Sequence, residues 1–358
     1  MILYILNKLF YALLTLFGVV TVVFLLFTVL PGDPARMMLD QNEDPEQLAI
    51  IKHKYGFDQP VLTQYAYYLN DLSPLSIHNN NGDNYTSLTS GKYNYTRIFS
   101  IGNYTLAIKK PYLRESFQKT GKTVVAVISE TLPNTIVLAV SAITLAILLG
   151  ILLGVISANA RDTWLDKLIQ VVSTFGMSVP SFFSAILFAW FFGYILHEYT
   201  NLNMTGSLYE MDDFGEAITI QWKNIVLPAL VLGIRPLAVV IQLMRNSLLE
   251  VYNQEYIRTA QAKGLNQHQI VWRHALKNAL NPVVTAVSGW FASMLAGAVF
   301  VEYIFGWNGL GKEIVDALNT LDLPIIMGAV LVIATMFILI NILVDIIYGL
   351  LDPKVRIR

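Results

Sequence analysis

The amino-acid sequence predicts an all-α integral membrane protein that crosses the bilayer six times. Of its 358 residues, 55% are hydrophobic and only 14% are charged, whereas ordinary globular chains carry about a quarter charged residues. Six apolar stretches are each long enough to cross a bilayer core of roughly 30 Å, which needs about 20 helical residues. The chain contains no cysteine, which excludes disulfides and thiolate metal sites.

We name these stretches spans 1 to 6 in chain order. Only the fourth contains a charged residue, Arg235. The six spans are Leu9–Leu30, Leu132–Ala160, Leu168–Leu196, Ile225–Met244, Pro282–Val301 and Pro324–Val344. Span 1 is longer than the apolar core of a secretory signal, about 7–15 residues, and is not followed by a cleavage site of small residues. Residues 1–30 are therefore predicted to form an uncleaved N-terminal transmembrane anchor.

Basic residues indicate the orientation of the spans. Residues 245–278 carry five basic and two acidic side chains, and the tail at residues 351–358 carries three basic ones. The loops that follow spans 3 and 5 are acidic instead. Because short cytoplasmic loops are enriched in lysine and arginine, both termini and the loop between spans 4 and 5 are predicted to be cytoplasmic.

Residues 31–131 form the one long segment predicted on the outer side, a small extracytoplasmic insertion between the first two spans. Asp44, followed by proline, is typical of a helix N-terminus, and Gly56 is typical of a helix end. A short amphipathic helix is predicted over residues 61–69. Residues 78–105 are rich in Asn, Tyr, Thr, Gly and Ser, which predicts a solvated loop or small hairpins.

The sequence contains no motif for catalysis or nucleotide binding. Residues 116–123 nearly form a phosphate-binding loop, but the first glycine is missing and no buried strand precedes them. The predicted spans contain no nucleophile motif and no pair of carboxylates, and the five histidines lie outside the spans or at their edges. We expect a non-catalytic chain that binds no cofactor itself.

Spans 2, 3 and 4 each carry a feature of interest. Small residues recur at every fourth position of span 2 and predict close approach of another helix, with a pore-lining role as the alternative. These residues are Ala142, Ala146, Gly150, Gly154 and Ala158. Pro180 is expected to bend span 3, either as a hinge or as a fixed shape. Burial of Arg235 in lipid would cost about 3 kcal/mol, so its guanidinium should face protein or a water-filled cavity. It would attract an anionic group of a solute, or else pair with a neighbouring subunit or extend to the interface.

Residues 245–281 are predicted to form two short cytoplasmic helices that meet at a glycine. The first helix is predicted over Leu248–Lys263 and ends at Gly264, and the second begins after Asn266 as its N-cap. Four apolar residues are expected on the exposed side of this pair, which suggests a socket on a partner protein. They are Tyr256, Ile257, Ala260 and Leu265.

This loop resembles the EAA loop of ABC importer permeases, in the form found in the dipeptide/oligopeptide/nickel family. The residues that carry the resemblance are Glu255-Tyr256-Ile257-Arg258-Thr259-Ala260-Gln261-Ala262-Lys263-Gly264-Leu265 and Arg273-His274-Ala275-Leu276-Lys277-Asn278-Ala279. Other similar motifs are Leu30-Pro31-Gly32-Asp33-Pro34, Leu132-Pro133-Asn134-Thr135, Phe305-Gly306-Trp307-Asn308-Gly309-Leu310-Gly311 and Leu351-Asp352-Pro353-Lys354. Asn308 stands where a proline is frequent in the family.

The resemblance implies the type I ABC importer permease fold, with a five-helix permease core at residues 132–350 and its coupling loop at residues 245–281. It also implies a multi-pass protein of the bacterial inner membrane. The implied partners are a second related permease, two ABC ATPase subunits that hold ATP and Mg²⁺, and an extracytoplasmic solute-binding protein; no nucleic acid is implied. Residues 255–258, 260 and 263–265 would dock into the ATPase and transmit its closure to the spans.

The resemblance leaves the solute open among peptides, nickel, glutathione and other small solutes. Nickel favours His or carboxylate ligands in the pathway, and none lies in the middle of a predicted span, so di- and oligopeptides are favoured. A membrane sensor or interaction protein without transport activity is the alternative from another class. Such a sensor would keep the paired helices but would not need a matched ATPase.

Overall fold

The computed structural model describes residues 2–29, 33, 35–39, 44–82, 84–211 and 217–351. Two predicted features, the segment Leu30–Gly32 with Pro34 and the tail at residues 352–358, lie outside the described residues. The chain divides into two compact units. The first contains residues 1–130 and 314–334, and the second contains residues 131–313 and 335–358.

The first unit begins with a long apolar helix and continues as a small mixed domain. In chain order its complete elements are α1 (Ile2–Val29), α2 (Pro45–Tyr55), α3 (Val61–Leu72), β1 (Leu75–Asn79), β2 (Tyr95–Ile101) and β3 (Tyr104–Lys109). The three strands form one antiparallel sheet in the order β1-β3-β2. The prediction of an all-α chain is wrong here, although small hairpins were expected in residues 78–105 and β2 and β3 form one.

Local signals set the ends of the short helices in this unit. Asp44 accepts a hydrogen bond from the backbone amide of Glu46 at the start of α2, where Pro45 occupies the first turn. Gly56 ends the helix in the left-handed conformation, with φ of 72°. Both predicted ends of α2 are confirmed. Among the described residues of this unit, an apolar cluster joins α1 and α3 through Val20, Phe24 and Tyr68.

Twelve further helices, α4 to α15, and a second hairpin follow in the described part of the chain. They are α4 (Val124–Asn159), α5 (Trp164–Ser178), α6 (Ser181–Trp190), α7 (His197–Thr200), β4 (Tyr209–Met211), β5 (Ile218–Ile220), α8 (Val226–Tyr252), α9 (Glu255–Ala262), α10 (Gln267–Ile270), α11 (Leu276–Ala279), α12 (Asn281–Gly297), α13 (Val299–Phe305), α14 (Leu310–Asn319) and α15 (Leu323–Leu351). Helix α8 lies at the centre of the second unit, where it contacts α5, α6, α12 and α13.

Among the described residues, four helices are long and apolar enough to cross a bilayer, or up to six if each of two bent pairs counts as one span. The first pair bends by 110° between α5 and α6, and the second bends by 57° between α12 and α13. The bend that Pro180 predicts in span 3 is therefore confirmed, and it divides the span into two helices. Pro180 has no amide hydrogen with which to continue α5, and it occupies the position before the first residue of α6.

Candidate functional site

The helical knob, which we define as residues 255–279, follows directly on α8. The predicted helix Leu248–Lys263 is wrong in its first part, because α8 continues to Tyr252 and α9 begins only at Glu255. The side-chain amide of Asn253 donates to the carbonyl of Leu249 at 3.0 Å. It satisfies a carbonyl that the end of α8 leaves without a helical partner. Gln254 then adopts an extended conformation and lets the chain turn into α9.

Gly264 forms the turn between the two arms of the knob. Its φ is +80°, in the left-handed region that glycine adopts readily, and the helix end predicted at this glycine is confirmed. Its amide donates to the carbonyl of Gln261 at 2.9 Å, and the amide of Leu265 donates to the carbonyl of Ala260 at 3.3 Å. These two bonds form a Schellman motif, which closes the end of α9 with a defined geometry.

The second arm begins with the predicted capping box. The side chain of Asn266 accepts from the amide of Gln269 at 2.9 Å, and the side chain of Gln269 accepts from the amide of Asn266 at 3.1 Å. Helical structure then continues through α10, a π-helical turn at Val271–Ala275 and α11. Both ends of the turn around Gly264 are thus fixed by hydrogen bonds, so the arms meet at a defined angle.

The apolar side of the knob faces its own chain. Ile257 and Ala275 are fully buried, and they belong to one apolar cluster with Leu248 and Met244 of α8. Ala260 of α9 is also buried in that cluster. The prediction that Ile257 and Ala260 are exposed is therefore wrong, because at helical spacing these two side chains share the face that meets α8. The knob is attached to α8 by burial of this face.

The outer side of α9 is polar. Glu255, Arg258 and Lys263 are exposed, while Leu265 is only partly exposed. Tyr256 is 41% exposed, and its hydroxyl accepts a hydrogen bond from the side-chain amide of Asn278 at 2.8 Å. This bond joins α9 to α11, so the exposed face contains residues from both arms.

An ion pair that the sequence did not reveal lies below the knob. Arg245 of α8 donates two hydrogen bonds to the carboxylate of Asp166, at 2.7 and 2.6 Å. The hydroxyl of Ser157 in α4 donates to the same carboxylate at 2.6 Å, and Asp166 is almost fully buried. Thr163, three residues earlier, caps the helix that carries Asp166, and this Thr-x-x-Asp spacing is the signal that predicts a helix start there. The partner in α8 has no local signal.

The small residues predicted for helix packing lie along the contact between α4 and α8. A Cβ atom on Gly150 would lie 2.6 Å from Cγ1 of Val240, and one on Gly154 would lie 2.6 Å from Cβ of Met244. Ala146 is completely buried. These distances are far below the optimal carbon–carbon separation of about 3.5–4.0 Å. The two backbones approach so closely that only glycine fits at the two glycine positions.

Arg235 lies at the break between α5 and α6. One of its terminal nitrogens is 3.4 Å from the carbonyl of Val179, just beyond the end of α5, where a cation also meets the negative end of the helix dipole. Arg235 also lines a small cavity of about 90 Å³ together with Ser181, Ser184 and Trp290. Arg235 is exposed on this chain, and the contact with Val179 is the one hydrogen bond that its guanidinium makes to a described residue.

The motifs at Asn134 and Trp307, quoted above for separate parts of the sequence, contact each other. The indole of Trp307 donates to the carbonyl of Asn134 at 3.1 Å, and the side chain of Asn134 donates to the carbonyl of Asn308 at 2.7 Å. Nearby, the buried carboxylate of Glu302 accepts from the amide of Gly311 at 2.6 Å. The two bonds of Asn134 tie α4 to the loop that follows α13, without a contribution from the side chain of Asn308.

Comparison with known proteins identifies the family. The family model described as the binding-protein-dependent transport system inner membrane component matches residues 150–357. A second model, for the N-terminal part of binding-protein-dependent transport system membrane components, matches residues 1–84. The first match contains the knob, α8 and the break between α5 and α6, which together make up the site described above.

Individual relatives match over nearly the full length. The chain is 31% identical to the dipeptide transport system permease protein of Alkalihalophilus pseudofirmus, covering 99% of this chain and 100% of that protein. It is 30% identical to the glutathione transport system permease protein of Salmonella typhimurium, over 99% of both. A solved chain of the MetNI methionine ABC transporter aligns with a TM-score of 0.45 and 17% identity, covering 65% of this chain and 96% of that one.

Proposed function

Because this chain belongs to the family of inner membrane components of binding-protein-dependent transport systems, we propose that it forms half of the translocation pathway of a peptide importer. In this proposal a separate ABC ATPase binds the helical knob and supplies the energy, while the chain itself is non-catalytic. A second, related permease completes the pathway, and an extracytoplasmic binding protein delivers the solute. The complex would contain two permeases and two ATPase subunits, with ATP and Mg²⁺ held by the ATPases.

The observation that carries this proposal is the close packing of the knob against α8. Ile257 and Ala260 of α9 are buried in one cluster with Leu248 of α8, and the turn at Gly264 is closed by two backbone hydrogen bonds. A force applied to the exposed residues of α9 would therefore move α8, because a close-packed interior transmits displacement. A freely hinged loop could not transmit it.

Six spans, with both termini on the cytoplasmic side, complete the proposal. In this topology the bent pairs α5/α6 and α12/α13 each count as one span, which supports the type I importer fold. The excess of lysine and arginine in residues 245–278 supports a cytoplasmic position for the knob. Labelling of single cysteines placed in the knob and in residues 84–105 tests the topology, because only the second position should react from outside.

Peptides are the proposed solute because the dipeptide permease is similar to this chain over its whole length. Glutathione, itself a tripeptide, is the second candidate because a glutathione permease is also similar over 99% of the chain. The test is ATP hydrolysis by the complete reconstituted complex with dipeptides, longer peptides, glutathione or nickel. Stimulation by peptide supports the proposal, stimulation by nickel alone contradicts the solute class, and the absence of any stimulation contradicts transport.

Gly264 provides a sharper test of the coupling step. Replacing Gly264 by valine places a β-branched side chain at φ of +80°, where L-residues are strained by about 1–2 kcal/mol. Asparagine tolerates this conformation and is the matched control at the same position, because a Cβ there meets nothing within 4 Å. We expect Gly264→Val to reduce solute-stimulated ATP hydrolysis and uptake, and Gly264→Asn to retain both. Equal activity of the two variants would contradict the role of a fixed turn.

A further inference from the structure

A cavity of about 350 Å³ lies within the first unit. It lies beside the last turns of α1 and the first turns of α15, the ends of two helices that are long and apolar enough to cross a bilayer. Phe24 and Phe27 of α1, with Pro324 and Met327 of α15, line this side. The volume falls within the range of about 300–1,000 Å³ found for small-molecule sites.

Two basic residues also line the cavity. Lys52 of α2 lines it and pairs with Asp33 at 2.5 Å. Arg114 also lines it, and its side chain is only 15% exposed. Each cation pairs with a carboxylate, Lys52 with Asp33 and Arg114 with Asp71, so these charges balance.

The guanidinium of Arg114 is held in place by a buried carboxylate, that of Asp71. Its Nε donates to the carboxylate of Asp71 at 3.2 Å, and the same carboxylate accepts from the hydroxyls of Tyr85 and Tyr93 at 2.8 and 2.9 Å. Asp71 is completely buried. For the two terminal nitrogens of Arg114, the structure gives no hydrogen bond to any described residue. These donors can bind an anion that enters the cavity, without the cost of first arranging the side chain.

We infer that this cavity binds one anionic phospholipid of the outer leaflet, with an acyl chain against Phe24 and Phe27 and the phosphate near Arg114 and Lys52. The inference rests on the proposed topology, which places residues 31–131 on the outer side. The cavity combines apolar side chains of two membrane helices with the cations Lys52 and Arg114 of the small domain. Four apolar side chains of the small domain also line it: Phe57, Val61, Leu113 and Phe117. A lysine or arginine close to anionic lipid headgroups strengthens binding about fivefold.

A peptide fits this cavity less well than a lipid. A peptide backbone brings several donors and acceptors, and each would need a partner once it left water. The polar side chains of the wall are already engaged: Thr28 donates to the carbonyl of Phe24, and Gln64 donates to the carbonyl of Gln59. An acyl chain has no hydrogen-bond donors or acceptors that would need partners. A single phosphate can accept hydrogen bonds from the terminal nitrogens of Arg114.

The test measures bound lipid on the purified full-length chain by native mass spectrometry, with phosphatidylglycerol and phosphatidylcholine of identical acyl chains as probes. Val61→Trp fills the cavity, and Leu62→Trp is its control because Leu62 is 82% exposed and is not among the lining residues. We expect wild type and Leu62→Trp to retain one more phosphatidylglycerol than Val61→Trp. Lys52→Gln should weaken this binding about fivefold, whereas Lys54→Gln should leave it unchanged.

Several outcomes would overturn the inference. They are equal retention of lipid by the two tryptophan variants, equal retention of phosphatidylcholine and phosphatidylglycerol at this site, and displacement of the lipid by a dipeptide with a free carboxylate. None of these results depends on ATP hydrolysis. A complex with normal peptide-stimulated hydrolysis but no lipid at this cavity would therefore reject the lipid site and leave the proposed transport function intact.

Discussion

Replacing Gly150 by alanine introduces a single methyl group at the contact between α4 and α8. Its Cβ would lie 2.6 Å from Cγ1 and 2.7 Å from Cβ of Val240, and 3.3 Å from the carbonyl oxygen of Leu237. Optimal carbon–carbon contacts are about 3.5–4.0 Å, so α8 would have to move by roughly 1 Å. Rotation of Val240 cannot relieve the clash, because its own Cβ is involved and a valine in a helix keeps one χ1 rotamer.

Overpacking of this kind destabilises a protein by about 1–3 kcal/mol. A glycine-to-alanine change within a helix also brings a favourable propensity of about 1 kcal/mol, so a matched glycine is needed as the reference. Gly289 of α12 is suitable, because a Cβ there meets nothing within 4 Å. The free energy of unfolding of Gly150→Ala should therefore lie about 1–3 kcal/mol below that of Gly289→Ala.

The assay is reversible unfolding of the purified full-length chain in detergent micelles, followed by circular dichroism. Val240→Ala, combined with Gly150→Ala, completes a double-mutant cycle in which the smaller side chain makes room for the new methyl group. We expect a favourable coupling energy of about 1 kcal/mol or more between the two changes. Equal stability of the two alanine variants, together with additive effects in the cycle, would refute close packing of α4 against α8 at this position.

Two further predictions concern groups outside this contact. Asp166→Asn should lower the free energy of unfolding by about 3–5 kcal/mol, because Arg245 loses its buried partner. The control is Asp162→Asn, in an exposed pair, which should change the free energy of unfolding by less than about 0.5 kcal/mol. Similar losses in both variants would contradict a structural ion pair. Burial holds the pKa of His78 in the folded chain below its ordinary value of 6.5. As the pH falls through 6.5, His78 therefore binds a proton in the unfolded chain before it does so in the folded chain, and the folded state loses stability. Protection of the β1–β3 amides against hydrogen exchange should accordingly decrease between about pH 7.5 and about pH 5.5. His78→Gln should remove this decrease. The same decrease in the variant would exclude His78 as its cause.

The helix ends were predictable where their signals are local. Asp44, Gly56, Asn266 and Gly264 each act on backbone groups within a few residues, by capping or by accepting a positive φ. Such interactions depend little on the rest of the fold. The same holds for the polarity of the spans, since composition alone marks a stretch of about 20 apolar residues.

Features that depend on tertiary contacts were missed or predicted wrongly. The pairing of Asp166 with Arg245 joins residues 79 positions apart in sequence, and neither residue carries a signal for the other. The burial of Ile257 depends on the return of α9 against α8, which follows from the unpredicted break at Asn253. The sheet was predicted only as small hairpins, because a polar, Asn-rich stretch has little of the alternation that marks a strand.

Helix α8 connects the candidate functional residues in one line. Starting from the knob, Leu248 of α8 lies in one apolar cluster with Ile257. Arg245 of α8 then pairs with Asp166 of α5, and Val240 of α8 contacts Gly150 of α4. These contacts allow little sliding, because an ion pair and a glycine contact both require one register between the helices. A displacement of the knob in the proposed importer would therefore move α4 and α5 together with α8, as a body, and would reach the break at Pro180. Helix α6 also contacts α8, so the helices on both sides of this 110° break pack against the same helix. Of the two interpretations of Pro180, this arrangement favours a fixed shape.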